Sequence, residues 1–261
     1  KIIRMLKKIS KDNNLLSAIM SFDPHPRLYF DNSVEDFNIY TKEDKLKFLN
    51  SFEINIYIDF LFDHKLSEYS SHEFIKNILV DKLKIKSLIV GSDFKFGKDR
   101  IGNIDTLNNF SNEYEYEVNL VNTVKIENKF EKFSSSLIRT DINQGKMESV
   151  SKSLGRDWHM TGKVVKGQKK AREINFPTAN MLPGKHILPK KGVYCVEVTY
   201  DNKKYYGISN FGVRPTVDGN KLLLETHIFN FDEEIYGNEL TVRFLTFIRS
   251  EQKFENFEKL T

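Results

Sequence analysis

Two short stretches carry residue types that could do chemistry. Gly162-Lys163-Val164-Val165-Lys166-Gly167 leads into a loop with Lys169, Lys170 and Arg172, and Phe176-Pro177-Thr178-Ala179-Asn180 follows. Phosphates need hydrogen-bond donors and a backbone that comes close; glycine permits the approach, and the lysines and arginine supply positive charge. Magnesium keeps most of its waters and takes few protein oxygens, so the Thr178 hydroxyl and the Asn180 amide carbonyl can suffice beside the phosphates. Their i, i+2 spacing in an extended segment points both side chains the same way. On spacing alone, the stretch reads equally as an ordinary basic hairpin loop in which Thr and Asn bond to nearby backbone.

A carboxylate on a strand is the next candidate. Leu222 to Phe229 alternates, so Glu225 shares a face with His227 and Phe229 while Leu224, Thr226 and Ile228 take the other. Glu225 is then either a reactive carboxylate or a solvent-facing one. Ser134-Ser135-Ser136 precedes a helical pattern, where backbone amides and the dipole favour an anion, although plain N-capping explains the same residues. Asp23-Pro24-His25-Pro26 follows an apolar run, at the carboxyl end of a predicted strand, where open α/β sheets bind ligands.

Two architectures must position these groups. The first part alternates apolar runs with helical patterns, the signature of parallel α/β layering. Strands are predicted over Leu15 to Phe22, Ile54 to Phe60, Ser87 to Val90 and Tyr116 to Val124. Ser70-Ser71-His72-Glu73 has the form of a capping box, after which Phe74, Ile75, Ile78, Leu79 and Leu83 make the buried face of a helix. From Gly162 the pattern changes to strands joined by turns: Gly162–Lys166, Val193–Tyr200, Tyr205–Asn210, Leu222–Phe229 and Leu240–Phe247. Asp218-Gly219 is a hairpin-turn signal. Strand spacing of this kind predicts a small closed antiparallel barrel with a final helix packed on it. The division is read near Gly155 to Trp158, giving domains 1–155 and 156–261.

At 261 residues the chain can bury two separate cores. A net charge of +4 argues against a dedicated nucleic-acid binder. The single cysteine, Cys195, excludes an internal disulfide. No run approaches the roughly 20 apolar residues that span a bilayer, and no charged-then-apolar leader opens the chain, so a cytoplasmic protein without membrane partners is expected. Lys1 to Ile9 reads as a helix already in progress, and Phe254, Phe257 and Leu260 begin a stripe that stops at Thr261, so both ends read as cut.

Taken in order, further blocks follow the first two: Gly192-Val193-Tyr194, Gly212-Val213-Arg214-Pro215-Thr216, Glu225-Thr226-His227-Ile228-Phe229, Tyr236-Gly237 and Arg249-Ser250-Glu251-Gln252-Lys253-Phe254. With the 162–180 segment they resemble the kinase half of the bifunctional bacterial riboflavin kinase/FAD synthetase family. The first part is similar to its nucleotidyltransferase half through Phe22-Asp23-Pro24-His25-Pro26, Gly91-Ser92-Asp93-Phe94-Lys95-Phe96-Gly97 and Ser134-Ser135-Ser136-Leu137-Ile138-Arg139. Departures are Ala171 and Asn175, where the family usually has glycines, Ser136 for a threonine, and Leu137 for a basic residue.

The resemblance implies a Rossmann-like parallel-sheet FMN adenylyltransferase domain followed by a riboflavin kinase β-barrel. It implies ATP and Mg2+ as co-substrate and metal, with riboflavin, FMN and FAD as substrates or products and no nucleic-acid partner. It makes Glu225 the catalytic base, since an alcohol attacking a γ-phosphate needs a carboxylate to orient it and accept its proton. Gly167, Arg172, Thr178, Asn180 and Tyr236 become ATP contacts, with Thr178 and Asn180 also on the metal; Arg249, Lys253 and Phe254 become flavin contacts. Asp23, His25, Asp93, Ser135, Ser136 and Arg139 fall in the adenylyltransferase site. The family's H-x-G-H motif would precede Lys1, so the chain as written is expected to make FAD poorly and the complete protein efficiently. Two rivals remain open: an adenylyltransferase for another small phosphoester, which would form no FMN from riboflavin, and a flavin-sensing regulator, which would bind flavin without consuming ATP.

Overall fold

The computed structural model describes residues 2–31, 37–122, 133–166, 177–216 and 219–252. The chain forms two compact units, Lys1–Glu35 with Leu46–Lys132, and Asp36–Lys45 with Phe133–Thr261.

The first unit is parallel α/β, as its alternating pattern requires. Strand β1 (Ala18–Asp23) pairs in parallel with β2 (Ile56–Leu61), and β3 (Ser87–Gly91) pairs in parallel with β4 (Glu117–Val121). Helix α1 (Ile2–Asp12) precedes β1, and the short α2 (Pro26–Phe30) follows it. The capping box forms as read: Ser70 Oγ accepts from Glu73 N–H at 3.2 Å, and Glu73 Oε2 accepts from Ser70 N–H at 2.9 Å. The helix then widens into a π-helical run, Phe74–Lys82, rather than continuing as an α-helix. Phe74, Ile75, Ile78 and Leu79 are buried with Val90, Phe96, Leu107 and Tyr116, and Leu83 packs at the margin of that core.

The second unit is a closed barrel in the order β10-β5-β6-β9-β8-β7. Its strands are β5 (His159–Val165), β6 (Ala179–Met181), β7 (Gly192–Tyr200), β8 (Lys203–Thr216), β9 (Gly219–Ile228) and β10 (Glu239–Arg249). All six ladders are antiparallel, and β10 closes the ring by pairing with both β5 and β7. The β8–β9 hairpin runs to a last pair Thr216–Gly219, much longer than the sequence reading of β8, whose turn-like Gly212 to Thr216 block is in fact strand. The final helix expected from the sequence lies outside the described residues.

Alternation fills the barrel: Tyr194, Val196, Val198, Leu224, Val242 and Phe244 point inward and are buried. Gly192 sits at φ +148°, and a Cβ there would lie 2.3 Å from the Arg249 carbonyl oxygen. Because that neighbour is backbone, Gly192→Ala is expected to cost roughly 2–3 kcal/mol, read as a lower urea midpoint.

Helices α7 (Ser135–Gln144) and α8 (Met147–Leu154) fall in the same compact unit as the barrel. The reason is their apolar faces: Ile138, Ile142, Met147 and Val150 are buried in the barrel's own cluster. Residues 36–45 join it too, through backbone carbonyls and one carboxylate. Trp158 Nε1 donates to Ile39 O at 2.7 Å, Ile187 N to Asn38 O at 2.7 Å, and Arg139 Nε to Phe37 O at 2.9 Å. Thr41 and Asp44 cap the start of α3 (Lys42–Asn50) reciprocally. Asp44 Oδ2 also meets His186 Nε2 at 2.9 Å, and Asp44 Oδ1 lies 3.6 Å from His159 Nε2. Burial works to raise the Asp44 pKa, but hydrogen bonds from His159, His186 and Thr41 outweigh it and hold the carboxyl far below its ordinary range.

Candidate functional site

The barrel's register aligns the sequence-derived candidates. Asn180 lies opposite Glu225, Glu225 opposite Asn210, Asn210 opposite Val193, and Val193 opposite Arg249. Directly opposed residues on antiparallel strands share a face, so Asn180, Glu225, Asn210 and Arg249 form one row across β6, β9, β8 and β10. Their neighbours Leu224 and Thr226 are buried inside, which puts the row on the outer wall.

Asn180 is 5% exposed, and its Oδ1 is buried with no hydrogen-bond partner among the described residues. Its Nδ2 donates to Thr178 O at 3.3 Å. The segment before β6 is fixed to β9 by His227 Nδ1, which donates to Pro177 O at 2.9 Å. An orphaned buried oxygen costs about 1–3 kcal/mol, and a hard cation with oxygen ligands is a chemical match for it. The Asn180 amide oxygen therefore fits the donor chemistry of a hard cation such as Mg2+. Tyr236 sits half-buried before Gly237, whose N–H donates to Val164 O at 2.9 Å, and the next β5 residue, Val165, pairs with Asn180.

Glu225 is held from its own wall. Arg214 Nε donates to Glu225 Oε2 at 2.6 Å, and Arg214 Nη1 donates to Glu251 Oε1 at 2.7 Å and to Val213 O at 3.1 Å. Desolvation acts to lower the Arg214 pKa, but the hydrogen bonds and charges of Glu251 and Glu225 outweigh it, so the guanidinium stays charged. Gly167, Arg172, Lys253 and Phe254, the other kinase-side residues singled out by sequence, lie outside the described residues, as do Ala171 and Asn175.

In the first unit, Asp23 ends β1 and Asp93 follows the end of β3, so both stand at carboxyl ends of parallel strands. His25 caps α2, its Nδ1 accepting from Arg27 N–H at 3.1 Å. Ser135, Ser136 and Arg139 belong to the second unit. The N-cap of α7 is Ser134, whose Oγ accepts from Leu137 N–H at 3.2 Å, and Ser135 and Ser136 are exposed beside it. The Arg139 guanidinium lies 3.6 Å over the Phe37 ring.

Family models divide the chain where its architecture changes. An FAD synthetase model matches residues 1–137, and a riboflavin kinase model matches residues 154–261. A bifunctional riboflavin kinase/FMN adenylyltransferase from Buchnera aphidicola subsp. Schizaphis graminum is 36% identical over 263 residues, covering 100% of this chain and 84% of the relative. The chain belongs to the bifunctional riboflavin kinase/FMN adenylyltransferase family. The Haemophilus influenzae member is 33% identical, with 99% of this chain and 84% of the relative covered. A crystal structure described as a macrolide-efflux protein from Streptococcus pneumoniae shares the fold, with a TM-score of 0.88 at 27% identity over 99% of this chain and 84% of that one. No described helix of the present chain is long and apolar enough to cross a membrane.

The sequence reading leaves out three groups on this outer wall. Asn210 has a second buried Oδ1 without a partner among the described residues. Arg214 is visible within the Gly212 to Thr216 block but carries no role there, because the strand is read only as far as Asn210. Extending the strand alternation from Asn210 to Arg214 would have put both beside Glu225. Glu251 had no local signal, since its partner lies 37 residues away.

Proposed function

We propose that the outer wall of the barrel is the riboflavin kinase site of this flavin-cofactor enzyme and that Glu225 is its base. The observation that carries the reading is the row Asn180-Glu225-Asn210, where a carboxylate stands between two amides whose buried carbonyl oxygens have no hydrogen-bond partner among the described residues. Glu225 orients the ribityl 5′-hydroxyl of riboflavin and takes its proton as the oxygen bonds to the γ-phosphorus of ATP; the bond to the bridging oxygen breaks and ADP leaves. Thr178 and Asn180 would hold Mg2+, which when bound neutralises phosphate charge. Gly167, Arg172 and Tyr236 serve the nucleotide, and Arg249, Lys253 and Phe254 serve the flavin. Adenylyl transfer follows, in which an FMN phosphate oxygen attacks the α-phosphorus of a second ATP and pyrophosphate leaves. Asp23, His25 and Asp93 of the first unit are assigned to that step.

The test is chromatographic detection of FMN from riboflavin and MgATP, and of FAD from FMN and MgATP. Absence of FMN with tight riboflavin binding would overturn the kinase reading. Asn180→Ala is expected to raise the KM for MgATP about tenfold or more, and an unchanged KM would remove Asn180 from the nucleotide site.

A further inference from the structure

We propose that Arg214 is a positioning residue for the phosphoryl transfer, one guanidinium that fixes the Glu225 carboxylate and couples it to Glu251 at the exit of β10. The inference rests on the kinase reading of the outer wall and goes beyond it by adding a residue that touches neither substrate.

Three observations converge. Arg214 uses different nitrogens for the two acids, Nε at 2.6 Å on Glu225 and Nη1 at 2.7 Å on Glu251, so the planar fork sets the angle between them. All three side chains are only a quarter to a third exposed, at 25%, 27% and 30%, where an ion pair is less screened than on an open surface. Gly212 provides the room: a Cβ there would come within 2.0 Å of Glu251 Oε1, so the acid lies across a glycine floor on the same face of β8 as Asn210 and Arg214. Among the described residues, other ionisable groups on this wall are Lys221, opposite Arg214 in the register, His227 two residues along β9, and Arg249 at the end of β10.

A carboxylate free to rotate would present its lone pairs to the hydroxyl only part of the time. Misplacement of a reacting group by about an ångström costs on the order of a hundredfold in rate. Arg214 restricts Glu225 to one orientation, and Glu251 restricts Arg214. Glu251 stands two residues before Lys253 and three before Phe254, so the chain leading to the proposed flavin contacts is tied to the base.

Steady-state FMN formation by the full chain tests this. Arg214→Ala is expected to lower kcat about thirtyfold with the KM for MgATP within about twofold of wild type. Arg214→Lys, which keeps a cation for Glu225, should recover a large part of that loss. Gly212→Ala displaces the flexible end of Glu251 without touching Arg214 or Glu225 and should lower kcat about threefold, as should Glu251→Gln. Neither change should add further loss in the Arg214→Ala background, because both act through Arg214. An unchanged kcat in Arg214→Ala, a raised KM for MgATP with kcat kept, or losses that multiply would each overturn the proposal. If Arg214→Ala loses its folded near-ultraviolet signal, the kcat values of Arg214→Lys, Gly212→Ala and Glu251→Gln decide it by the same criteria. A wild-type protein that makes no FMN would instead overturn the kinase reading itself.

Discussion

Replacing Glu225 by glutamine is expected to cut FMN formation by about 10²- to 10⁴-fold, the range that general-base catalysis supplies. Glutamine keeps the volume and an oxygen for Arg214 Nε but cannot take the hydroxyl's proton. The KM for MgATP should stay close to wild type, since Thr178 and Asn180 are untouched. Stability should change by no more than about 1 kcal/mol, because the ion pair with Arg214 is partly open to solvent. Turnover above about a tenth of wild type would remove Glu225 from the chemistry. Loss of turnover together with loss of MgATP binding would place the defect in the cradle instead.

The second large effect concerns a residue far from that wall in sequence. Asp44→Ala is expected to destabilise the barrel unit by about 3–5 kcal/mol, the range seen when one partner of a buried pair is removed. The Asp44 side chain is 2% exposed and His186 is 1% exposed, so water does not replace the lost carboxylate. His186 Nδ1 meets Pro183 O at 2.8 Å while Nε2 meets Asp44 at 2.9 Å, so both ring nitrogens are engaged. Trp158, the single tryptophan, is 1% exposed and bonded to Ile39 O, so its fluorescence in urea follows this unit. The pH dependence has a defined sign. The folded carboxyl lies below its ordinary 3.8, so its contribution is full above that value and is lost as pH falls beneath it. The stability gap between wild type and Asp44→Asn should therefore narrow as pH falls below about 4. A gap that does not respond to acid would show that the carboxylate is not the source of the stability.

The barrel was legible because its signals are local. Alternation in Leu222 to Phe229 placed Glu225 opposite the core-facing Leu224 and Ile228, and the register then set it beside Asn180. The Ser70 capping box was equally readable, since its two bonds span three residues. Other features depended on partners that only folding supplies. Asp44 reads as one more acid in the charged helix start Lys42-Glu43-Asp44-Lys45, and its partner His186 is 142 residues away. The Ser134 to Ser136 run signals the start of a helix, yet nothing local says which of two cores the apolar faces of α7 and α8 join. Phe74 to Lys82 has helical spacing, but nothing in that spacing distinguishes a π-helical run from an α-helix. The β8 strand was cut short because Gly212 and Pro215 are ordinary turn residues, whereas here the glycine leaves space for Glu251.

The ring closure by β10 has a consequence for biosynthesis. Among the described strands of the barrel it is the last to leave the ribosome, yet it supplies the seam to both β5 and β7. Residues 37–45 are made about a hundred positions or more before the groups they bond, Arg139, Trp158 and Ile187, so Ile39 and Tyr40 stay uncovered until those partners emerge, whereas β1 to β4 can pair earlier. A chain halted before those partners would expose apolar side chains of this segment, the kind of surface on which chaperones act.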